Sequence, residues 1–345
     1  MTHTTDVSPP DDRLRVLVTG AGGAAAISVL RSLTHEGHLL FAGDVDPHAA
    51  GLYLVGHEQR VLLPRGDDPD FAKHMAELCR SMRIEVLIPT VDSELIPLAE
   101  IAEHMQRHGT RLVLADLDTL RLCLDKLALA RACEDIIPAP RSAALDPAFD
   151  SDDWTFPFIV KPRSGSGGRG VRLVRSERDL AEIHRDGSHL VQEYLPGEEY
   201  SVDVFADQDG QVRATVPRVR LKVDSGVAVA ARTVHDPELE AMARAVAQRI
   251  GLRFVANIQF RRDERGRLGL LEVNPRFPGT MPLTVRAGVD MPHMALLAVS
   301  GWTAWPTDLD FAEVAVVRHW EEVFLPVDAL ELSSFRAMPT HVGAA

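Results

Sequence analysis

The chain has 345 residues, 46% of them hydrophobic, which is enough for two or three domain-sized units with their own cores. The formal net charge of −13 at pH 7 argues against a general nucleic-acid binder, because such proteins carry excess positive charge toward the phosphate backbone. No apolar run reaches the ~18 residues of a membrane helix, and the polar residues 1–12 predict a tail and not a signal peptide. We therefore expect a cytoplasmic protein that binds neither nucleic acid nor a membrane.

The first domain is predicted over residues 13–115, where strand and helix patterns alternate as in a parallel sheet. A strand and a glycine turn precede an apolar helix over residues 24–33, and the acids Asp44 and Asp46 follow in the next strand. This order is close to the dinucleotide-binding fingerprint, but the third glycine is missing from its usual place. The pattern therefore disfavours NAD(P) binding and leaves a dinucleotide oxidoreductase as an alternative.

Three polar residues, Thr90, Asp92 and Glu94, follow the short apolar strand at residues 86–89. Because ligands of open α/β sheets bind at the carboxyl ends of the strands, all three are candidates for the substrate side. The alternative is helix capping, in which Thr90 or Asp92 is the N-cap and the acids favour the helix N-terminus. Of these two interpretations, the sequence alone favours capping.

A linker helix and a small lid are predicted over residues 116–189. Residues 117–133 have a helical pattern that carries Lys126, and the proline-rich residues 138–147 open the lid. The three cysteines, Cys79, Cys123 and Cys133, have no metal-site spacing, and we expect the last two to be core thiols.

Lys161 ends a short apolar strand of the predicted lid, and a glycine-rich run over residues 163–170 follows at once. Glycines let the backbone approach an anion closely, and successive N–H groups form an anion-binding concavity. The run is not a Walker loop, because no Gly-Lys-Ser/Thr ends it and a strand, not a helix, follows it. It predicts a flap that folds over phosphates, with a flexible surface turn as the alternative.

The third unit, predicted over residues 190–305, is an antiparallel sheet crossed by a helix over residues 236–250. Its first strand runs through residues 190–195 into a Pro-Gly turn, and a second strand follows at residues 200–205. Backbone groups at this junction suit an adenine edge, and a carboxylate a few residues on suits ribose hydroxyls. An ordinary hairpin is the alternative.

An acid, an amide and a base alternate along one extended segment: Glu272, Asn274 and Arg276. Their spacing directs all three to one face of a strand, and a hairpin turn over residues 261–267 would bring Gln259 of the preceding strand beside them. Oxygen ligands of this kind suit Mg²⁺ held jointly with substrate phosphates, and an arginine suits a transferring phosphoryl group. The alternative is a half-solvated polar strand face with a routine ion pair.

A basic stretch over residues 218–226, followed by residues 232–235, lies between the predicted adenine and metal strands. In an acidic protein these cations suit an anionic substrate, and Lys222 and Arg232 are the candidates for substrate-side roles. A solvated loop is the alternative. Residues 277–284 are expected to form a loop beside the acceptor pocket, and the tail after residue 302 contains one more strand, at residues 314–318.

In their order and spacing these motifs resemble those of the ATP-grasp superfamily, and the similarity is closest to its carbamoyl-phosphate-synthase-like and amino acid ligase branches. The residues that carry the resemblance are Asp125-Lys126, Val160-Lys161-Pro162 with Ser164 to Gly170, Gln192 to Leu195, Gln259, and Glu272 to Arg276. The resemblance covers roughly residues 13–301. It implies an α/β and α+β fold with a Rossmann-like pre-ATP-grasp domain, a lid, an antiparallel ATP-grasp core and a C-terminal extension over residues 306–345.

The resemblance also implies ATP and Mg²⁺, with Mn²⁺ as a substitute ion, and it assigns roles to individual positions. The phosphate contacts would come from Lys126, Lys161, Ser164, Gly165, Ser166, Gly167 and Gly168. Adenine would be held by the backbone of Gln192, Glu193 and Leu195, and ribose by Glu199. The metal ligands would be Gln259, Glu272 and Asn274. Many members have a carboxylate where this chain has Gln259, so we interpret the glutamine as a mark of the subtype.

The function that the resemblance implies is that of an ATP-dependent carboxylate–amine ligase, in which an acyl-phosphate forms and an amine displaces phosphate. Arg276, Lys161, Arg232 and Lys222 would assist this chemistry. The partners would be a small-molecule carboxylate and an amine, and a homodimer is a further expectation because dimers are common in such enzymes. A bicarbonate-activating enzyme of the carbamoyl-phosphate type and a non-catalytic nucleotide-binding protein are the alternatives.

Overall fold

The computed structural model of the protein describes residues 13–137, 139–165, 168–224, 226–306 and 309–331. Within these ranges the strands form three sheets, of five, four and six strands. One sheet is parallel and two are antiparallel, which confirms the predicted mixture of α/β and α+β architecture. Ser166 and Gly167, two of the predicted phosphate contacts, lie outside the described residues.

The five-stranded parallel sheet belongs to the N-terminal domain. Its strands are β1 (Arg15–Thr19), β2 (Leu39–Asp44), β3 (Arg60–Leu62), β4 (Val86–Ile88) and β5 (Arg111–Leu112), in the spatial order β3-β2-β1-β4-β5. Its helices are α1 (Ala24–Thr34), α2 (Phe71–Met82), α3 (Asp92–Glu100) and α4 (Ala102–Arg107). The strand order reverses between β1 and β4, where a crevice opens outside the carboxyl ends of both strands.

Two short helices, not one, link this domain to the rest of the chain: α5 (Leu117–Leu124) and α6 (Lys126–Cys133). The helical pattern over residues 117–133 breaks at Asp125, whose side chain accepts hydrogen bonds from the N–H groups of Leu127 and Ala128 and so caps α6. All three cysteines are buried, as expected for core thiols.

The four-stranded sheet is the lid, and its spatial order is β6-β9-β7-β8. Its members are β6 (Ser142–Ala144), β7 (Phe158–Pro162), β8 (Arg172–Val174) and β9 (His189–Glu193), with helix α7 (Glu177–Ala181) beside them. Strand β9 pairs with β6 and β7. The sequence predicts residues 190–193 in the following unit, but their hydrogen bonds join them to the lid. Strand pairing between segments distant in sequence leaves no local signal.

The six-stranded sheet has the order β14-β13-β10-β11-β12-β15. Its strands are β10 (Glu199–Ala206), β11 (Val212–Asp224), β12 (Val227–Thr233), β13 (Phe254–Arg262), β14 (Leu268–Asn274) and β15 (Ala315–Val317). Strands β9 and β10 therefore lie in different sheets, and the Pro-Gly turn between them does not close a hairpin. The strand expected near the C-terminus is present as β15, at the edge of this sheet.

Helix α8 (Pro237–Arg249) packs on one face of the six-stranded sheet, in a core that includes Val202 and Val204 of β10. The opposite face carries the polar residues of the candidate site and, at one end, Phe205, which joins the core of the N-terminal domain. Helices α9 (Met281–Arg286) and α10 (Met291–Val299) pack in that same core. The loop expected over residues 277–284 therefore ends where α9 begins. No helix in the described ranges is long and apolar enough to cross a membrane.

Candidate functional site

A cavity of about 530 Å³ lies between the lid sheet and the polar face of the six-stranded sheet. The lid contributes residues of β7 and β9 and of the glycine-rich run, and the larger sheet contributes residues of β10 to β14. A smaller pocket adjoins it and is lined in part by Asp92, Lys126 and Glu272. One continuous site therefore contacts all three units of the chain.

The register of the strands sets polar side chains in a row across the sheet. Glu272 on β14 lies opposite Gln259 on β13, Gln259 opposite Ser201 on β10, and Ser201 opposite Arg218 on β11. Side chains at directly paired positions share a face. The predicted hairpin between β13 and β14 is therefore confirmed, and with it the juxtaposition of Gln259 and Glu272.

The oxygen atoms predicted to hold a metal ion face the cavity together. Glu272 Oε1 accepts a hydrogen bond from Asn274 Nδ2 at 3.0 Å, and Gln259 Oε1 accepts one from Arg220 Nη1 at 3.3 Å. No group of three or more His, Cys, Asp or Glu suited to a metal occurs among the described residues. One carboxylate with two amide oxygens fits Mg²⁺, a hard cation that is commonly held by one or two carboxylates plus substrate phosphates.

Two lysines from different elements lie near this carboxylate. Lys161 on β7 is buried and donates to the carbonyl oxygen of Leu271 at 3.1 Å, and Lys126 at the start of α6 lies 3.8 Å from Glu272 Oε2. The pKa of Lys161 is lowered to about 8, mainly by burial and in part by the charge of Lys126, while Glu272 and Glu199 oppose the shift. Two cations beside a single carboxylate leave a net positive charge that suits a polyphosphate.

The start of the glycine-rich run is attached to helix α6. Lys126 Nζ donates to the carbonyl oxygen of Gly165 at 2.6 Å, and the backbone N–H of Lys126 donates to Arg163 O at 2.9 Å. Asp125, the N-cap of α6, also forms a two-point ion pair with the Arg163 guanidinium. Ser164, Gly165 and Gly168 line the cavity, as expected for a phosphate-covering segment.

Of the residues predicted to contact adenine and ribose, some line the cavity and others do not. Gln192 lines the cavity, and its side-chain Nε2 donates to Ser142 Oγ at 3.1 Å. Glu193 is not among the cavity-lining residues, and its N–H already donates to Arg141 O at 2.9 Å. Leu195 is buried and also absent from the lining. Glu199 lines the cavity and pairs with Arg220.

Arg276 is held by a residue of the N-terminal domain. Its Nε and Nη2 donate to the two carboxylate oxygens of Asp92, at 2.6 and 3.1 Å. The N-cap of α3 is Val91, without a side-chain cap, so the favoured interpretation of Thr90 or Asp92 as caps is wrong. Thr90 instead donates to Thr19 O at 2.8 Å, and the substrate-side interpretation of Asp92 gains support from its place in the smaller pocket.

Glu94 lies behind this region, buried at the carboxyl end of β1, where the hydroxyl of Thr19 donates to it. Burial raises the pKa of Glu94 to about 7, and the nearby charge of Asp44 contributes, while the hydrogen bond from Thr19 opposes the shift. The carboxyl group therefore changes its charge within the neutral pH range.

Lys222 and Arg232, the predicted substrate-side cations, are exposed and do not occur among the described residues that line the cavity. A bulge between Arg220 and Lys222 interrupts the alternation of β11, and Arg232 pairs opposite Val219, whose side chain packs on the α8 side. Arg218 and Arg220 line the cavity instead. Their alternation with a valine at residues 218–220 was the signal that could have identified them.

Comparison with known families finds two matches, one at each end of the described fold. Residues 16–113 match a family described as "PylC-like, N-terminal domain", and residues 186–323 match one described as "ATP-grasp in the biosynthetic pathway with Ter operon". The first match covers the parallel sheet, and the second covers the six-stranded sheet with its metal strand. The second match therefore includes most of the residues that line the cavity, and the first includes Asp92 of the smaller adjoining pocket.

Among curated relatives, the carbamoyl phosphate synthase large chain of Thermotoga neapolitana is 26% identical over 92% of this chain and 33% of its own length. This chain thus spans about a third of that relative. The D-alanine–D-alanine ligase of Thermotoga petrophila is 29% identical over 30% of this chain and 35% of its own length.

Solved structures show the same fold at low sequence identity. An N5-carboxyaminoimidazole synthetase from Staphylococcus aureus, complexed with ADP, aligns with a TM-score of 0.70 at 15% identity and covers 88% of this chain and 82% of its own. The biotin carboxylase domain of Hydrogenobacter thermophilus 2-oxoglutarate carboxylase aligns with a TM-score of 0.70 at 19% identity, covering 86% and 72%. With the family matches and the motif order, this similarity shows that the chain belongs to the ATP-grasp superfamily.

Proposed function

We propose that the chain is an ATP- and Mg²⁺-dependent carboxylate–amine ligase that forms an amide through an acyl-phosphate. The observation that carries the proposal is the convergence of Lys126, Lys161, Glu272 and Arg276 on one cavity, because these groups supply what phosphoryl transfer requires. No side-chain nucleophile is needed: the protein positions the reactants and offsets charge. The relatives named above support an ATP-dependent ligase, and the amine acceptor is our inference.

In the first step, an oxygen of the substrate carboxylate attacks the γ-phosphorus of ATP, the bond from this phosphorus to the β-γ bridging oxygen breaks, and ADP leaves. Lys161 and Lys126 bind the phosphates, and Arg276 offsets the negative charge on the transferring group. Glu272, with Asn274 and Gln259, would hold Mg²⁺, which supplies further charge neutralisation at the phosphate oxygens when bound. Mn²⁺ is the expected substitute.

In the second step, the amine nitrogen attacks the acyl carbon, the bond from that carbon to the phosphate oxygen breaks, and the amine loses a proton. Water competes with the amine for the acyl-phosphate, so the site must exclude it. The described residues of the glycine-rich run that line the cavity, Ser164, Gly165, Gly168 and Arg169, suit this task, and the start of the run is attached to α6 through Lys126 and Arg163. We expect small-molecule substrates and a cytoplasmic location, where ATP is available; a homodimer stays a prediction.

The test is ADP release from Mg²⁺-ATP with amino acids, other carboxylates and bicarbonate, offered singly and in pairs. The proposal expects release that requires a carboxylate plus an amine and that disappears in Glu272→Ala. Glu264→Ala, an exposed change in the turn of the same hairpin, is the matched control and should retain full activity. Release that needs bicarbonate and no other carboxylate would favour the carboxyphosphate-forming alternative. Tight ATP binding without release in any pair would favour a non-catalytic nucleotide-binding protein.

A further inference from the structure

The end of the cavity away from the lid has one arginine in its wall and a second arginine behind that wall, and the phosphate and metal assignments leave both unexplained. Arg218 projects from β11 into the cavity wall and is only 3% exposed. Arg318 follows the edge strand β15, is half-buried, and donates to the carbonyl oxygen of Gly279, which lines the same end. The C-terminal strand of the sheet thereby contributes a cation next to the site.

The hydrogen-bonding capacity of these guanidinium groups is not filled. Arg218 pairs with the buried Asp203, but the same carboxylate also accepts from Asn257 Nδ2 at 2.8 Å and from Thr284 Oγ1 at 2.6 Å. The Nε atoms of Arg218 and of Arg318 are both buried and have no hydrogen-bond partner within the described ranges. Buried N–H groups without acceptors are costly, so one such group in a cavity wall and a second beside it indicate a missing acceptor.

The charges at this end also indicate an anion. Arg220 is balanced by Glu199 and Arg218 by Asp203, whereas no carboxylate in the described part of the chain pairs with Arg318. Burial and the positive charge of Arg218 both lower the pKa of Arg318, which shows that the two cations repel each other. An anion between them would relieve the repulsion and supply hydrogen-bond acceptors for both guanidinium groups.

The position of Arg218 separates this anion from the phosphates of ATP. The polar row Glu272, Gln259, Ser201, Arg218 crosses three gaps between strands, roughly 14 Å at the usual strand spacing. The nucleotide motifs lie at the Glu272 end and in the lid. The Arg218 end is instead lined by small residues, among them Ala228 and Gly279, which leave room for another molecule.

We propose that Arg218 and Arg318 bind a carboxylate or phosphate group of the non-nucleotide substrate, a group distinct from its reacting carboxyl or amine. This inference rests on the proposed function and narrows it: one of the two substrates is an anion at its far end, as a free amino acid is. The protein thus selects among small molecules by a charge that takes no part in the bond formed. Arg218 contacts the anion directly, and Arg318 supplies a second positive charge.

The binding test uses the full chain loaded with Mg²⁺ and a non-hydrolysable ATP analogue, so that the nucleotide phosphates occupy their own site. Succinate and inorganic phosphate are titrated as probes by calorimetry. We expect one of them to bind, and its dissociation constant to rise at least tenfold in Arg218→Lys, which keeps the charge and loses the fork. The matched control is Arg213→Lys, on the same strand and paired with another buried aspartate, Asp207, and it should bind as the unmodified chain does.

Arg318→Gln is the second variant, because Arg218 is paired with a buried carboxylate and a change there tests folding as well as binding. Weaker probe binding in Arg318→Gln with unchanged nucleotide binding supports the site. Equal probe binding in all variants, or none by the nucleotide-loaded unmodified chain, overturns it. The probe that binds distinguishes a carboxylate from a phosphate ligand.

Turnover separates this inference from the ligase proposal. Free acids and carboxamides are compared in ADP release with the reacting group left intact: amino acids against their carboxamides as the amine substrate, and dicarboxylates against their monoamides as the carboxylate substrate. A preference of at least tenfold in kcat/KM for the free acids, reduced in Arg318→Gln, supports the anion site. Equal use of acids and carboxamides would leave the ligase proposal standing and would exclude the anion site. No ADP release with any substrate pair, together with probe binding that depends on Arg218, would support the anion site and exclude the ligase proposal.

Discussion

Arg276 and Asp92 join the metal strand to the N-terminal domain through two parallel hydrogen bonds of 2.6 and 3.1 Å, although 184 residues separate them in sequence. A bidentate pair of this kind fixes the plane of the guanidinium as well as its position. The proposed phosphoryl-stabilising residue is therefore aligned by a carboxylate at the first position of α3.

Asp92→Asn removes the charge of the carboxylate and one of its two acceptors while preserving its shape. We expect kcat to fall about 10- to 100-fold, since a misaligned arginine loses contact mainly with the transition state. The KM for ATP should change little, because the lysines that bind the phosphates are untouched. Steady-state kinetics with varied ATP measure both values. Asp116→Asn, which removes a surface pair with Arg253, is the control; a raised KM with unchanged kcat in Asp92→Asn would contradict the positioning role.

Asp125→Asn should weaken nucleotide binding with little loss of stability. Asparagine caps a helix about as well as aspartate, so α6 persists and the cost is the ion pair to Arg163, within about 1 kcal/mol. Without that pair, the link between the glycine-rich run and Lys126 loosens, and we expect the dissociation constant of ADP to rise several-fold. Asp236→Asn is a close control, since Asp236 caps α8 and pairs with Arg262 far from the glycine-rich run. Equal ADP binding in both variants would refute the link.

Lys161 predicts a pH dependence of nucleotide binding. Its pKa of about 8 means that the amine is charged below this pH and neutral above it. Since the phosphates bind the charged form, ADP affinity should fall as pH rises through 8, by at most tenfold per pH unit for one proton. Calorimetric titration with ADP between pH 6.5 and 9.5, within roughly 1.5 units of that pKa, measures it. In Lys161→Arg the decline should vanish, because arginine stays charged throughout; a decline that persists there would assign it to another group.

Glu94 predicts a pH dependence of stability with the opposite sign to that of most carboxylates. Its pKa is raised from 4.5 to about 7 in the folded protein, so the folded state holds more protons than the unfolded state between these values. The stabilisation is complete below pH 4.5 and is lost as pH rises through 7. Glu94→Gln stays neutral at every pH. From pH 5 to pH 8 its free energy of unfolding should therefore rise by about 3 kcal/mol relative to that of the unmodified chain. Urea unfolding at both pH values measures this; an equal difference at both would show that Glu94 is ionised throughout.

The nucleotide and metal half of the site could be predicted from the sequence because its signals are local. Alternation places Glu272 and Asn274 on one face, and the short turn before β14 returns the chain beside Gln259. The same locality accounts for the prediction of a helix over residues 236–250. In the structure Asp236 caps α8 and proline lies in its first turn. Periodicity and turn chemistry act over a few residues, and the chain follows them wherever no distant contact competes.

The other half could not be predicted, because it depends on contacts between distant segments. One extra residue in β11 turns Lys222 off the face that holds Arg218 and Arg220, and a bulge leaves no clear mark in the sequence. Asp92 is a residue type common at helix caps, and only its hydrogen bonds from Arg276, two residues after β14 ends, show its use. Strand β9 looks like half of a hairpin until its partners in the lid are known.

The pairing of β9 with β7 links two segments that separate sequence motifs represent: the strand predicted to contact adenine and the strand that carries Lys161. Ile159 pairs with Gln192 and Lys161 with Leu190, so the strand expected to face adenine and the lysine expected to hold phosphate belong to one hydrogen-bonded sheet. If this sheet moved as one body, both ends of a bound nucleotide would move away from the carboxylate of Glu272 together. We therefore expect the base and the phosphates to be released in one step, and a substitution that restricts movement of the sheet should slow ADP release without altering the contacts that hold ADP.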